Sequence, residues 1–77
     1  MKGLVEFMAK AMVDNPHQVE ATEIAGEQTL VIELKVAKED LGKIIGKKGR
    51  NVQAMRTILN GASGKFRKNV ILEIIDQ

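Results

Sequence analysis

Four residues near the middle of the chain, Gly46-Lys47-Lys48-Gly49, combine a permissive backbone with two positive charges. Glycine has no Cβ atom, so a loop that begins and ends with glycine lets another backbone come close. The two lysines at the tip attract phosphate, the group that carries the charge of nucleic acids. Aliphatic residues precede the loop, and Val52 follows three residues after its second glycine. The pattern predicts a phosphate-contacting loop between two helices.

The same four residues allow two other interpretations. Taken alone, the Gly-x-x-Gly spacing suits an ordinary turn between two helices. A nucleotide-binding P-loop fits less well, because Gly42 and Gly46 have one residue too few between them and no Ser or Thr follows the lysine.

The charge distribution favours the first interpretation. The 77-residue chain has a net charge of only +2, yet residues 43–68 contain eight Lys or Arg and no acid. These residues are Lys43, Lys47, Lys48, Arg50, Arg56, Lys65, Arg67 and Lys68. Such grouping predicts one basic face on a nearly neutral body, as nucleic-acid-binding domains have. A solvated lysine surface would produce the same composition.

Composition excludes several classes of protein. The length permits one domain, spanning residues 1–77. The absence of cysteine excludes disulfides, cysteine-based metal sites and thiol catalysis. A single histidine, His17, cannot form a metal site, and no catalytic triad or carboxylate pair is recognisable. We therefore expect no enzymatic activity, no cofactor and no metal, and we expect His17 at the surface on a strand edge.

We expect the N-terminal residues not to form a signal peptide. Glu6 and Lys10 interrupt their apolar run, and no small-x-small cleavage site follows. No stretch approaches the length of a transmembrane helix. We expect a cytoplasmic protein.

Hydrophobic periodicity predicts the elements before the loop. Lys2 to about Val13 is expected to be an amphipathic helix, followed by strands from His17 to Ile24 and from Gln28 to Val36. A turn at residues 25–27 makes these strands antiparallel. The helix stripe comprises Leu4, Met8, Ala11 and Met12, widened by Val5 and Phe7, and the inner face of the second strand comprises Leu30, Ile32, Leu34 and Val36. The apolar residues around Phe7 would also suit a partner helix.

Two helices are expected to flank the loop. The first runs from Glu39 to Ile45, with Glu39 and Asp40 in a first turn where the helix dipole favours acids. The second runs from Arg50 to Asn60 and stops at Gly61. Their predicted inward residues are Leu41, Ile44 and Ile45 on the first, and Val52, Met55, Ile58 and Leu59 on the second. A flexible basic loop from Ala62 to Lys68 then leads to a strand from Asn69 to Ile75, whose apolar residues need cover on most of their surface.

The element order α-β-β-α-α-β predicts an α+β fold with a three-stranded mixed sheet and helices packed on one face. The second and third strands are connected through two helices, which predicts a parallel pair with a right-handed crossover.

This order of elements around a Gly-x-x-Gly loop resembles the type II KH domain over the whole chain. The loop and its flanks match the pattern aliphatic-Ile-Gly-x-x-Gly-x-x-aliphatic at every defined position. More closely, the chain resembles the KhpA family of small bacterial single-KH-domain proteins. The resemblance rests on residues 4–7, 13–16, 26–29, 39–50 and 72–75.

The resemblance implies a binding site. In KH domains the loop clamps the backbone of about four single-stranded nucleotides, and the bases lie in a groove between the paired helices and the sheet edge. Carried over to this chain, the backbone contacts would be Gly46, Lys47, Lys48 and Gly49, with Lys43, Arg50 and Arg56 extending the basic track. The groove floor would comprise Ile32, Leu34, Ile44, Ile45, Val52 and Met55. Each of these aliphatic residues also suits plain core packing, and the lack of Tyr and Trp argues against an aromatic stacking platform.

The resemblance further implies what the protein does. Its members bind single-stranded RNA, act as RNA chaperones after transcription, and are linked to cell shape and cell-wall homeostasis. They form homodimers, or heterodimers with a larger KH-domain protein of the KhpB or Jag type.

Two other functions stay open. One is a dimerisation module with secondary nucleic-acid contact, suggested by the apolar first helix and by Gly64-Lys65-Phe66-Arg67. An exposed Phe66 would support it. The other is single-stranded DNA binding, since no residue predicts a contact to the 2′-hydroxyl, and competition between RNA and DNA of one sequence would separate the two.

Overall fold

The computed structural model describes residues 1–64 and 68–75. Within these residues the elements follow the predicted order α-β-β-α-α-β, which confirms the expected α+β fold. They are α1 (Lys2–Met12), β1 (Glu20–Ala25), β2 (Thr29–Lys35), α2 (Leu41–Ile45), α3 (Arg50–Ser63) and β3 (Asn69–Ile74). Short 3₁₀ turns occupy Pro16–Gln18, Lys38–Asp40 and Lys47–Gly49. No helix in this part of the chain has the length and apolar character needed to cross a bilayer.

The sheet is mixed, with β2 in the centre. β1 runs antiparallel to β2 and places Ala21 opposite Leu34. β3 runs parallel to β2 and places Leu72 opposite Ile32. Both predicted pairings are therefore confirmed, while the right-handed crossover stays a prediction.

The core lies between the helices and one face of the sheet. Ile32 and Leu34 of β2 are completely buried, as their alternation predicted. The other buried residues of this core cluster are Val5, Ala9, Val19, Ala21, Val36, Ile44, Val52, Met55, Leu59, Val70 and Leu72. The opposite face of the sheet is open, with Ile24 of β1 52% and Ile71 of β3 45% exposed. The expectation that β3 is covered on most of its surface was wrong, because β3 is an edge strand with helices on one side only.

The buried face of α1 matches the predicted stripe in part, since Leu4, Met8 and Met12 pack against the core. Val5 and Ala9 are completely buried, whereas Phe7 is 73% exposed and Ala11 is also exposed. At about 100° per residue, positions two apart point to nearly opposite sides of a helix. The prediction combined two faces of α1, of which only one contacts the sheet.

The segment before β1 is a turn rather than a strand. Pro16–Gln18 forms a 3₁₀ turn in which the Gln18 amide donates to the Asn15 carbonyl at 3.0 Å. Proline suits the start of such a turn because its φ is already close to the helical value. His17 is exposed as expected, but it lies in this turn and not on a strand edge.

α3 continues past its predicted end. Gly61 lies inside the helix, which runs to Ser63, so it is not the C-terminal stop. Ile58 was expected to be buried but is 50% exposed, because it lies on the side of α3 away from the sheet. The basic loop predicted from Ala62 was also wrong at its start, where Ala62 and Ser63 are helical. Lys65, Phe66 and Arg67 lie outside the described residues. The exposure of Phe66 therefore does not test the dimerisation hypothesis here.

Candidate nucleic-acid interface

The Gly46-Lys47-Lys48-Gly49 segment forms a tight loop between α2 and α3. Gly46 has φ 76° and ψ 173°, a region that essentially only glycine occupies. Gly49 is left-handed, with φ 74° and ψ 15°. Its amide donates to the Gly46 carbonyl at 3.1 Å, which closes the loop. Lys48 also has a positive φ of 57°, unusual for a residue with a Cβ atom.

The loop presents exposed positive charge. Lys47, Lys48 and the adjoining Arg50 are exposed. Among the ion pairs found within residues 1–64 and 68–75, none involves these three side chains. Their charges are therefore available to an external anion.

The start of α3 adds backbone donors beside these charges. Its N-cap is Gly49, and no side chain in the described structure caps this end. The Arg50 amide donates back to the Lys47 carbonyl, but the following amides of the first turn have no partner within the helix. Together with the positive end of the helix dipole, these N–H groups suit a phosphate.

Lys43 differs from the other predicted basic contacts. Its ammonium nitrogen lies 3.1 Å from an Asp14 oxygen and 3.6 Å from an Asp40 oxygen. The hydrogen bond to Asp14 and the charges of both carboxylates raise the pKa of Lys43 above its ordinary 10.5, against a smaller opposing effect of burial. Two carboxylates thus balance this charge, and Lys43 ties α2 to the segment after α1.

Asp40 is the buried partner in this cluster, whereas the sequence predicted only that it lies in the first turn of a helix. Its side chain is 0% exposed. It accepts hydrogen bonds from the Asp14 amide at 3.2 Å, the Asn15 amide at 3.0 Å and the Asn15 side chain at 3.0 Å. Burial raises the pKa of Asp40, but these hydrogen bonds and the charge of Lys43 outweigh it and hold the pKa below 3.8. No local pattern pairs residues 25 positions apart, so the sequence carried no signal for this contact.

The predicted groove floor lies mostly below the surface. Ile32, Leu34 and Ile44 are 0% exposed. Met55 and Val52 are nearly as deeply buried. All five residues therefore pack in the core, which is the alternative that the sequence left open. From that position they would support the floor of a groove from beneath. Ile45 was predicted to point inward but is 39% exposed. It lies next to Gly46 and adds an apolar side chain to the surface beside the loop.

Arg56 links α3 to the sheet at the candidate interface. Its guanidinium donates to the Leu72 carbonyl of β3 at 3.1 Å. The amides of Asn69 and Ile75 donate to β2. The N–H and C=O groups of successive residues in a strand point to opposite edges. Leu72 is three residues from both Asn69 and Ile75, so its N–H and C=O groups point to the free edge of the sheet. Arg56 therefore spans α3 and the open edge of β3.

The chain matches the family model of the KhpA/KhpB KH domain over residues 2–74. It belongs to the KhpA/KhpB family. A relative from Caldanaerobacter subterraneus subsp. tengcongensis is 57% identical over 75 residues, covering 97% of this chain and 100% of the relative. A relative from Clostridium acetobutylicum is 51% identical with the same coverage. One from Aquifex aeolicus is 51% identical over 76 residues, covering 99% of this chain and 96% of the relative.

Each of these KhpA/KhpB relatives bears the name RNA-binding protein KhpA. The family is thus named for RNA binding and not for a reaction. Comparison with solved structures found no match. Membership confirms the resemblance inferred from the loop and the element order.

Proposed function

We propose that this KhpA/KhpB protein binds single-stranded RNA in the cytoplasm by clamping the RNA backbone with its Gly46–Gly49 loop. The observation that carries the proposal is the placement of exposed Lys47 and Lys48 at the start of α3, where no ion pair or side-chain cap is found among residues 1–64 and 68–75. The glycines let phosphate approach the backbone, and the amides of the first turn of α3 receive it. The names of the relatives support RNA as the ligand.

The remaining surface extends the clamp. Arg50 continues the positive charge from the loop, and Arg56 places a guanidinium at the free edge of β3. Ile45 supplies the exposed apolar contact between them. So few charges and one exposed aliphatic residue favour weak binding, with affinity that depends on salt.

The first experiment is fluorescence anisotropy with short single-stranded RNAs. The Lys47→Asp, Lys48→Asp double variant should lose binding and keep its fold, because both side chains are exposed. A Lys2→Asp, Lys38→Asp variant is the control, since it changes the net charge equally at exposed lysines elsewhere. Equal loss in both variants would mean that overall charge, not the loop, binds RNA.

Salt dependence gives a second test of the clamp. The logarithm of the association constant should fall with the logarithm of salt concentration, by about 0.7 per phosphate neutralised. A flat response would contradict a phosphate clamp. Unlabelled DNA of the same sequence, added as competitor, decides between RNA and single-stranded DNA as the preferred ligand.

Dimerisation is a second candidate function, favoured by one apolar groove. Phe7 and Ile58 are exposed at a groove of about 400 Å³ between α1 and α3, which Ala11 and Ala54 also line. A second copy suits it, because in a two-fold arrangement each Phe7 enters the groove of the other copy. A dimer would also join two weak RNA sites and raise their combined affinity.

Sedimentation equilibrium tests the dimer. Phe7→Ser should shift the protein towards monomer without lowering the midpoint temperature of the monomer, since Phe7 is exposed. Ile71→Ser, on the open face of the sheet, is the control. Wild-type protein that stays monomeric at high concentration would refute a homodimer and direct attention to a larger KH-domain partner of the KhpB or Jag type. RNA-chaperone activity and a role in cell-shape and cell-wall homeostasis belong to the same proposal, and strand-annealing assays and cell length in a deletion strain test them.

A further inference from the structure

Asn51, the second residue of α3, contacts the end of α2 and the first glycine of the Gly-x-x-Gly loop. Its side-chain amide donates to the Lys43 carbonyl at 2.8 Å. That carbonyl lies in the last turn of α2, where carbonyl groups lack a partner within the helix. The hydrogen bond therefore joins the end of α2 directly to the start of α3, across the loop.

The same side chain packs against the first glycine of the loop. A Cβ atom added to Gly46 would lie 2.6 Å from the Asn51 Cγ and 2.8 Å from its Cβ and Nδ2. The second glycine differs, because a Cβ on Gly49 would come no closer than 4.0 Å to Val52. Gly46 is thus required both by its positive φ and by the volume of Asn51, whereas Gly49 is required by its φ alone.

We propose that Asn51 is the positioning residue of the loop, an inference that rests on the proposed RNA binding. Its amide hydrogen bonds to Lys43 and is therefore committed to the protein. Lys43 is in turn held at its other end by Asp14 and Asp40. Asn51 fixes the loop against this frame and keeps Lys47 and Lys48 in the arrangement that receives consecutive phosphates.

The test replaces Asn51 by leucine, which has a similar size and shape but no donor. Because Asn51 is exposed and leucine favours helix, the midpoint temperature should change little. The dissociation constant for single-stranded RNA should rise about tenfold, the effect of one lost hydrogen bond. Gln53→Leu, an exposed amide two residues further along α3, is the matched control and should bind as wild type does. Asn51→Ser, which also cannot reach Lys43, replaces the leucine variant if that variant does not fold.

A second measurement follows the loop in the protein without RNA. The three-bond coupling between the amide and Hα protons of Lys48 reports its φ, and hydrogen exchange of the Gly49 amide reports the bond to the Gly46 carbonyl. Both should change in Asn51→Leu and stay unchanged in Gln53→Leu. These two signals show whether Asn51 positions the loop even if the protein binds no RNA. A protein that binds no RNA would contradict only the proposed function.

Two results would overturn the inference. If Asn51→Leu binds RNA as wild type does while the Lys47, Lys48 double variant does not, the clamp stands without a positioning role for Asn51. If Asn51→Leu loses affinity but its loop signals match wild type, Asn51 contacts RNA directly instead of positioning the loop.

Discussion

The buried carboxylate of Asp40 lies 3.6 Å from the ammonium group of Lys43, one turn further along the chain. Lys43 also reaches Asp14, and Asp40 accepts the amides of the same segment. The pair therefore fastens the connection between α1 and β1 to the start of α2. Since α2 leads directly into the Gly46–Gly49 loop, this cluster fixes the base from which the loop projects.

Asp40→Asn should destabilise the fold. Asparagine keeps the shape but loses the negative charge that faces Lys43, and its amide cannot accept all the hydrogen bonds that Asp14 and Asn15 donate. We expect the midpoint temperature to fall by about 5 °C or more. Calorimetry measures this, with the exposed neighbour variant Glu39→Gln as control. Equal midpoints for both variants would contradict a structural role for the buried carboxylate.

The effect of Asp40 should depend on pH in a defined direction. Its folded-state pKa lies below the ordinary 3.8, because its hydrogen bonds and the charge of Lys43 outweigh burial. A lowered folded-state pKa gives stability that is present above the unfolded-state value and is lost as pH falls through the folded-state value. The difference in midpoint temperature between wild type and Asp40→Asn should stay constant near neutral pH and shrink below about pH 3.8. A difference that grows towards acid would mean that the pKa is raised instead.

Alanine substitutions should rank the glycines around the loop. Gly49→Ala places a side chain at positive φ, which costs about 1–2 kcal/mol. Gly46→Ala should cost more, because it adds a contact of 2.6 Å with Asn51. Gly42→Ala is the control, since nothing lies within 4 Å of its added Cβ and its position is helical. Urea denaturation measures all three, and equal losses for Gly46 and Gly49 would contradict the close packing of Asn51.

Gly61→Ala should stabilise the protein by about 0.5–1 kcal/mol. Gly61 lies within α3, and nothing lies within 4 Å of an added Cβ. Alanine therefore favours the helix without a clash. Urea denaturation checks the sign, and a loss of stability would indicate that α3 ends at Gly61, as the sequence pattern had suggested.

The sequence by itself determined the order of elements, both strand pairings and the identity of the loop. These features depend on local patterns: alternation in β2, glycine spacing around Lys47 and Lys48, and the short connection at Gly26. Local patterns can be recognised in the sequence alone, because the spacing of apolar residues and the turn preferences of glycine involve only a few neighbouring positions. They sufficed to predict the fold, and the family followed from the resemblance of the loop and its flanking residues to KH domains.

Tertiary structure decided which side of each element is buried and what each charge contacts. Phe7 and Ile58 fit an amphipathic pattern yet lie outside, because only one face of each helix meets the sheet. Lys43 resembles the loop lysines in sequence, but Asp14 and Asp40 balance its charge. Asn51 and Gly46 meet only when the chain turns back between α2 and α3. Such contacts depend on distances set by packing, which a pattern read along the chain does not contain.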